Sequence, residues 1–195
     1  MSHCEALSMS MMSETEQDQV AQLLAEYASA TRSTGVTSVG CGEGKVECLV
    51  QTTGLDTIGI DVGGPRGAAL QLGYGYKGLY QANDPLEAPA GEVSWTVVRH
   101  DDRPSALTFR RWNGAIDVDP LHVLLFSWGT RAPFGDYIDQ YVAAEGQCVV
   151  TVWDSTCTPT GDAVETQLGD GWVRADRDIN GNATFSVFSK RGRAS

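Results

Sequence analysis

The residues with the clearest chemical potential are Thr37-Ser38-Val39-Gly40-Cys41-Gly42-Glu43-Gly44 and, seventeen residues after Gly44, Asp61 in Ile58-Gly59-Ile60-Asp61. An apolar run enters a glycine-rich turn, a helical stretch follows, and a second apolar run ends in a carboxylate. Glycines let the backbone approach a ligand where a Cβ would collide, and an acid so placed accepts hydrogen bonds from ribose hydroxyls. The arrangement suits a nucleoside-bearing cofactor, and the spacing discriminates among cofactors. A dinucleotide fingerprint needs G-x-G-x-x-G, whereas here the third glycine comes one residue early and Lys45 fills the expected place. An NAD-dependent oxidoreductase is disfavoured on that spacing. Gly40 to Lys45 also lacks the G-K-[ST] ending of a phosphate-binding loop, and no G-x-S-x-G elbow surrounds Ser127, so nucleotide hydrolysis and serine hydrolase chemistry are not expected.

The elements that must position these residues can be read from periodicity. Ser13-Glu14-Thr15-Glu16 has the form of a capping box, and Val20, Leu23, Leu24 and Tyr27 recur at helical spacing, which predicts an amphipathic helix over 14–31. Val36–Val39 reads as the first strand. Val46, Leu49, Val50 and Thr53 mark one face of the helix after the glycine turn, which stops at Gly54 and whose free N-terminal amides would favour an anionic group. Thr57–Val62 is the second strand and Val93–Arg99 the third, with a short helix expected within 104–118. Leu121–Ser127 is a nearly continuous apolar run, as expected of a central parallel strand covered on both faces. A helix through Phe134, Ile138, Tyr141 and Val142 stops at Gly146. Cys148–Trp153 is a further buried strand, and a short helix spans about 161–168. Trp172–Arg174 and Ala183–Ser189 then flank Asn180-Gly181-Asn182, a hairpin turn signal.

Alternating strands and helices imply an α/β three-layer α-β-α sandwich around a mostly parallel sheet, closed by an antiparallel hairpin. The expected organisation is a flexible lead-in over 1–13 and one Rossmann-like domain over 14–195. Residues 63–92 interrupt it with a glycine- and tyrosine-rich insertion that reads as a substrate-covering lid, a plain ordered insertion or a protein-contact surface.

The chain's 195 residues suffice for one hydrophobic core. A net charge of −11 opposes approach to nucleic acid, whose binding needs a basic footprint. Arg110-Arg111 and Lys190-Arg191-Gly192-Arg193 are the basic clusters, and both read as solvated surface. No basic-then-apolar leader and no membrane-length apolar run are seen, so a soluble cytoplasmic protein is expected. Five cysteines at 4, 41, 48, 148 and 157 form no C-x-x-C pair, which argues against a zinc cluster or disulfide framework. Cys48 and Cys148 read as buried thiols, and no metal site is expected.

The glycine motif, the acid of the second strand and the strand order together resemble those of class I S-adenosylmethionine (SAM) methyltransferases, over about Tyr27 to Lys190 outside the 63–92 insertion. The chain looks most like a branch whose first motif reads S-V-G-(S/C)-G-x-G-x-x-E and whose fourth strand ends in S-W-P-P-Y. The resemblance implies SAM as cofactor, bound by Ser38, Gly40, Cys41, Gly42 and Gly44, with Glu47 completing the motif. It also implies that Asp61 binds the ribose and that Asp101, or Asp102 in the alternate register, contacts the adenine amino group. Ser127 and Trp128 are the implied substrate-side residues, beside which a small-molecule or protein acceptor would receive the methyl group. At this point the sequence departs from the branch: Gly129-Thr130 stands where two prolines and an aromatic would hold a target amine. The alternative is therefore a catalytically inactive scaffold or protein-interaction module with the same fold.

Other signals have simpler readings. His100 could accept a proton but reads as a strand-end residue, His122 as structural, and Asp117 and Asp119 as a solvated loop. Asp176-Arg177-Asp178-Ile179-Asn180-Gly181 imitates a calcium loop, but its twelfth position is Val187 rather than glutamate, so a hairpin turn is expected. Of the five tryptophans, only Trp128 falls where a substrate would sit.

Overall fold

The computed structural model describes residues 12–41, 44–61, 79–80, 92–98, 104–111, 116, 118–127, 133–154, 159–181 and 183–191. Helix α1 is Glu14–Thr31, and its capping box is closed: the Glu16 amide donates to Ser13 Oγ at 3.3 Å, and the Ser13 amide donates to Glu16 Oε2 at 2.6 Å. Strand β1 (Gly35–Val39) leads through the glycine turn into α2 (Lys45–Gln51), followed by β2 (Asp56–Asp61). Then come β3 (Leu79–Tyr80), β4 (Glu92–Val98), β5 (Pro104–Arg111) and β6 (His122–Ser127). Helix α3 (Phe134–Ala143), β7 (Cys148–Trp153), α4 (Gly161–Leu168), β8 (Trp172–Ile179) and β9 (Ala183–Lys190) complete the order.

The strands form one nine-stranded sheet in the order β3-β4-β5-β2-β1-β6-β7-β9-β8. Its centre, β5-β2-β1-β6-β7, is parallel, and both flanks are antiparallel. Successive residues of a strand face opposite sides, and β6 divides accordingly. Val123 and Leu125 pack with Val20 and Leu24 of α1 and Leu49 and Val50 of α2; Leu124 and Phe126 pack with Ile138 and Tyr141 of α3 and Val164 of α4. That double coverage makes the expected Rossmann-like three-layer sandwich, and it explains why β6 is buried at every position. The closing hairpin turns through Asn180 and Gly181, which take left-handed φ values of 52° and 74° beyond the Ile179–Ala183 pair.

One expected element differs. The strand parallel to β2 in third place is β5, not the 93–99 segment, and the helix expected within 104–118 is replaced over 104–111 by this strand. Residues 92–98 form β4, antiparallel to β5 with Trp95 opposite Leu107. The physical cause is visible in Ser105-Ala106-Leu107-Thr108-Phe109-Arg110, where Leu107 and Phe109 alternate with their neighbours at the two-residue period of a strand. Pro104 falls at the first residue of the strand, where its missing N–H is tolerated. Of the 63–92 insertion, Leu79–Tyr80 and the first residue of β4, Glu92, are described; the rest, like residues 1–11 of the lead-in, lies outside the described residues.

Candidate functional site

β1 is flanked by β2 on one side and β6 on the other: the chain runs from β1 outward to β2 and β5, then crosses back to β6 on the far side of β1. In an open α/β sheet the crevice at such a reversal, outside the carboxyl ends of the strands, is where ligands bind. The glycine turn lies there. Gly40 has φ of 83° and Gly44 of 70°, in the region L-residues avoid. The Gly40 and Cys41 amides both donate to the Ile60 carbonyl, at 2.7 and 3.2 Å, which ties the turn to the end of β2. The Gly44 amide donates to the Cys41 carbonyl at 2.9 Å, and the Gly44 carbonyl receives the Cys48 amide at 2.9 Å as α2 begins. Gly42 and Glu43 lie outside the described residues.

Strand register aligns the remaining candidates. Val39 is opposite Ile60 on one side and Phe126 on the other, so Gly40, Asp61 and Ser127 follow in one row across three adjacent strands. With about 4.8 Å between strands, the backbones of Asp61 and Ser127 lie about 10 Å apart with Gly40 between them. The row continues to Arg111 of β5, opposite Asp61. Asp61 and Arg111 are described through their backbones. Ser127 is 9% exposed, and its hydroxyl has no hydrogen-bond partner among the described residues. Trp128 lies outside them.

The side chain of Ser38 is held by α2. It is fully buried, and its hydroxyl donates to Glu47 Oε1 at 2.5 Å; Glu47, in the first turn of α2, is 1% exposed. The serine side chain is thus engaged inside the protein, beneath the turn. The motif singled out both residues but not the bond between them. A serine two residues before the first glycine and a glutamate three after the last were the only available signals.

Asp101, with Asp102 and His100, lies outside the described residues; its assignment as the acid after the third strand rested on a strand order that the structure changes. That assignment followed from placing the third strand at 93–99. In the structure Val98 pairs with Pro104 at the amino end of β5, seven residues, or about 23 Å, from the row containing Arg111 and Asp61. The carboxyl end of the third parallel strand is Arg111.

His122 is structural, as expected. It opens β6 at the opposite edge, where its Nδ1 is 3.0 Å from Thr37 Oγ1 and its Nε2 is 3.6 Å from Asp119 Oδ2 and 3.9 Å from Asp56 Oδ2. Cys41, Cys48 and Cys148 are buried thiols; burial raises Cys148 to about 12, against a weaker opposing hydrogen bond from Thr31. Among the described residues no group of three His, Cys, Asp or Glu is placed to hold a metal ion, and no helix is long and apolar enough to cross a membrane.

No family model matches the chain, nor does any curated protein. The fold, by contrast, recurs in 91 solved chains. One is a Streptococcus pneumoniae protein assigned as a tRNA (m1A22) methyltransferase, similar at 12% identity over 95% of this chain and 73% of that one, with a TM-score of 0.51. Another is a protein of the NADB-Rossmann superfamily from Streptococcus agalactiae, at 11% identity over 94% and 71%, with a TM-score of 0.50. Magnesium protoporphyrin IX methyltransferase from Synechocystis, solved with bound SAM, covers 92% of this chain and 85% of its own at 10% identity and a TM-score of 0.48. The first two likenesses show a Rossmann-like α/β fold.

Proposed function

We propose that the protein is a SAM-dependent methyltransferase acting on a small-molecule or protein acceptor. The observation that carries this reading is the row Asp61–Gly40–Ser127 at the sheet's reversal point, with the glycine turn bonded to β2 beside it. The residues fit the cofactor: two left-handed glycines leave room where a Cβ would stand, and a buried hydroxyl with no partner among the described residues borders the same crevice. In this reading Gly40, Cys41, Gly42 and Gly44 form the floor beneath the nucleoside and Asp61 accepts the ribose hydroxyls. The adenine side falls to residues near the carboxyl end of β5.

Bound SAM supplies a methyl group on a sulfonium, already an activated donor. The chain's task is then alignment: Ser127 and Trp128 orient the acceptor's nucleophilic atom along the axis of the breaking bond, which accounts for much of the rate in such reactions. The net charge of −11 favours a small molecule or protein over a nucleic acid as acceptor.

A second reading, a non-catalytic scaffold, is favoured by Gly129-Thr130 in place of the proline-proline-aromatic turn. Thermal unfolding with SAM, S-adenosylhomocysteine and NAD tests the cofactor. A ligand at a hundred times its Kd stabilises by about 2.7 kcal/mol. Stabilisation by the first two and not by NAD is expected; none by any of them contradicts the proposal. Transfer of label from methyl-labelled SAM to an acceptor, lost in Ser127→Ala, separates enzyme from scaffold.

A further inference from the structure

We infer that Ser38 and Glu47 form a positioning pair that sets cofactor affinity by holding the glycine turn in its binding shape; this rests on the SAM reading above. Burying a carboxylate is costly unless it is paired and hydrogen-bonded, and the chain buries one at 1% exposure directly beside this turn. Its partner is the hydroxyl of Ser38, itself fully buried, at 2.5 Å. The two residues bracket the turn. Ser38 lies two positions before Gly40 on β1, and Glu47 three after Gly44 on α2, so their bond closes a ring around Gly40–Gly44. Among the described residues the turn's backbone bonds run to Ile60 and within the turn itself, and none of these joins α2 to β1. Gly44 caps α2 without a side-chain bond, whereas the Ser38–Glu47 link is a side-chain tie between the strand entering the turn and the helix leaving it. Neither residue needs to touch the ligand to govern its affinity: a turn that samples several shapes binds in proportion to the fraction in the competent one.

The test compares wild type with Ser38→Ala, Glu47→Ala and Glu47→Gln. The glutamine variant keeps an oxygen that can accept from Ser38. Two readouts are taken at a temperature where every variant is folded: S-adenosylhomocysteine affinity by calorimetry, and hydrogen exchange of the segment 38–50 without ligand. Affinity should fall about tenfold or more in both alanine variants and stay within about threefold of wild type in Glu47→Gln. Exchange in the segment should quicken in the alanine variants by a similar factor, with other segments unchanged. Wild-type affinity in the alanine variants, or equal loss in Glu47→Gln and Glu47→Ala, would overturn the inference. If wild type binds no S-adenosylhomocysteine, the cofactor reading fails and the affinity claim fails with it. Quickened exchange would then show only that the pair shapes the turn. Should Glu47→Ala not fold, Ser38→Ala decides alone.

Discussion

Tyr141→Phe is the most informative perturbation of the scaffold that holds the glycine turn and Ser127 in register. The phenol is 1% exposed, donates to the His122 carbonyl at 2.5 Å and accepts from the Gln147 and Cys148 amides, both at 3.2 Å. It ties the end of α3 to the starts of β6 and β7, and so to the strand that ends in Ser127. The substitution keeps the ring and removes one oxygen, leaving a carbonyl and two amides short of a partner. A net value of about 1 kcal/mol per bond gives a loss of roughly 3 kcal/mol, with the exposed Gln147 recovering part of its share from water. In a chain of this size that lowers Tm by about 6–12 °C. Urea unfolding at neutral pH measures the loss directly, as a lower midpoint at unchanged slope.

The same variant carries a pH signature. Burial, the largest influence, raises the Tyr141 hydroxyl from 10.0 to about 12 despite the two amide bonds that pull it down. Below pH 10 the group is neutral in both folded and unfolded chains and contributes no slope. Between 10 and about 12 only the unfolded chain ionises, so stability falls as pH rises, by on the order of 3 kcal/mol through this group. Phenylalanine cannot ionise. The gap between wild type and Tyr141→Phe should therefore narrow as pH climbs through that window. A loss under about 0.5 kcal/mol at neutral pH, or a gap constant from pH 9 to 12, would refute the reasoning.

Three further outcomes follow from other contacts. Gly35→Ala should destabilise by about 3 kcal/mol or more in urea unfolding, since its Cβ would stand 2.4 Å from the Asp56 carbonyl and 2.6 Å from His122 Nε2, neither free to move. Cys148→Ala should remove an alkaline loss of stability that begins near pH 9, because burial lifts this thiol from 9.0 to about 12; pH-dependent unfolding reads the change in slope. Arg174 binds Asp162, Glu165 and Asp176 at 2.6, 2.9 and 2.9 Å. Burial alone would push the Asp176 carboxyl up, but hydrogen bonds from Arg174 and Ser186 hold it below its ordinary 3.8. That stability is present above the ordinary value and lost as pH falls through the folded one, so Arg174→Met should unfold at higher pH in an acid titration followed by circular dichroism.

Much of the fold was legible because local signals agreed with the tertiary outcome. The capping box at Ser13 and the spacing of Val20, Leu24 and Tyr27 place α1, the continuous apolar runs place β6 and β7, and Asn180-Gly181 places the closing turn. The 92–111 region was misjudged because Ala106 and Leu107 are strong helix formers, while the strand pairing that overrides them comes from β2, fifty residues earlier. The assignment of Asp101 depended on which strand stood third, and Asp101 lies outside the described residues. In the candidate site, glycine spacing and Asp61 were readable as local pattern. The Ser38–Glu47 bond was not, because it joins residues nine apart across a turn whose shape no periodicity encodes. Nor was Arg111's place in the row, which only the β2–β5 register reveals.

The central claim, a SAM site built on the glycine turn and Asp61, is tested most directly by calorimetric titration of wild type and Asp61→Ala with S-adenosylhomocysteine. The account predicts micromolar binding by wild type and a loss of tenfold or more, about 1.4 kcal/mol, in the variant with its fold intact. A folded wild-type protein that takes up no S-adenosylhomocysteine, or an Asp61→Ala protein that binds it unchanged, would contradict the account.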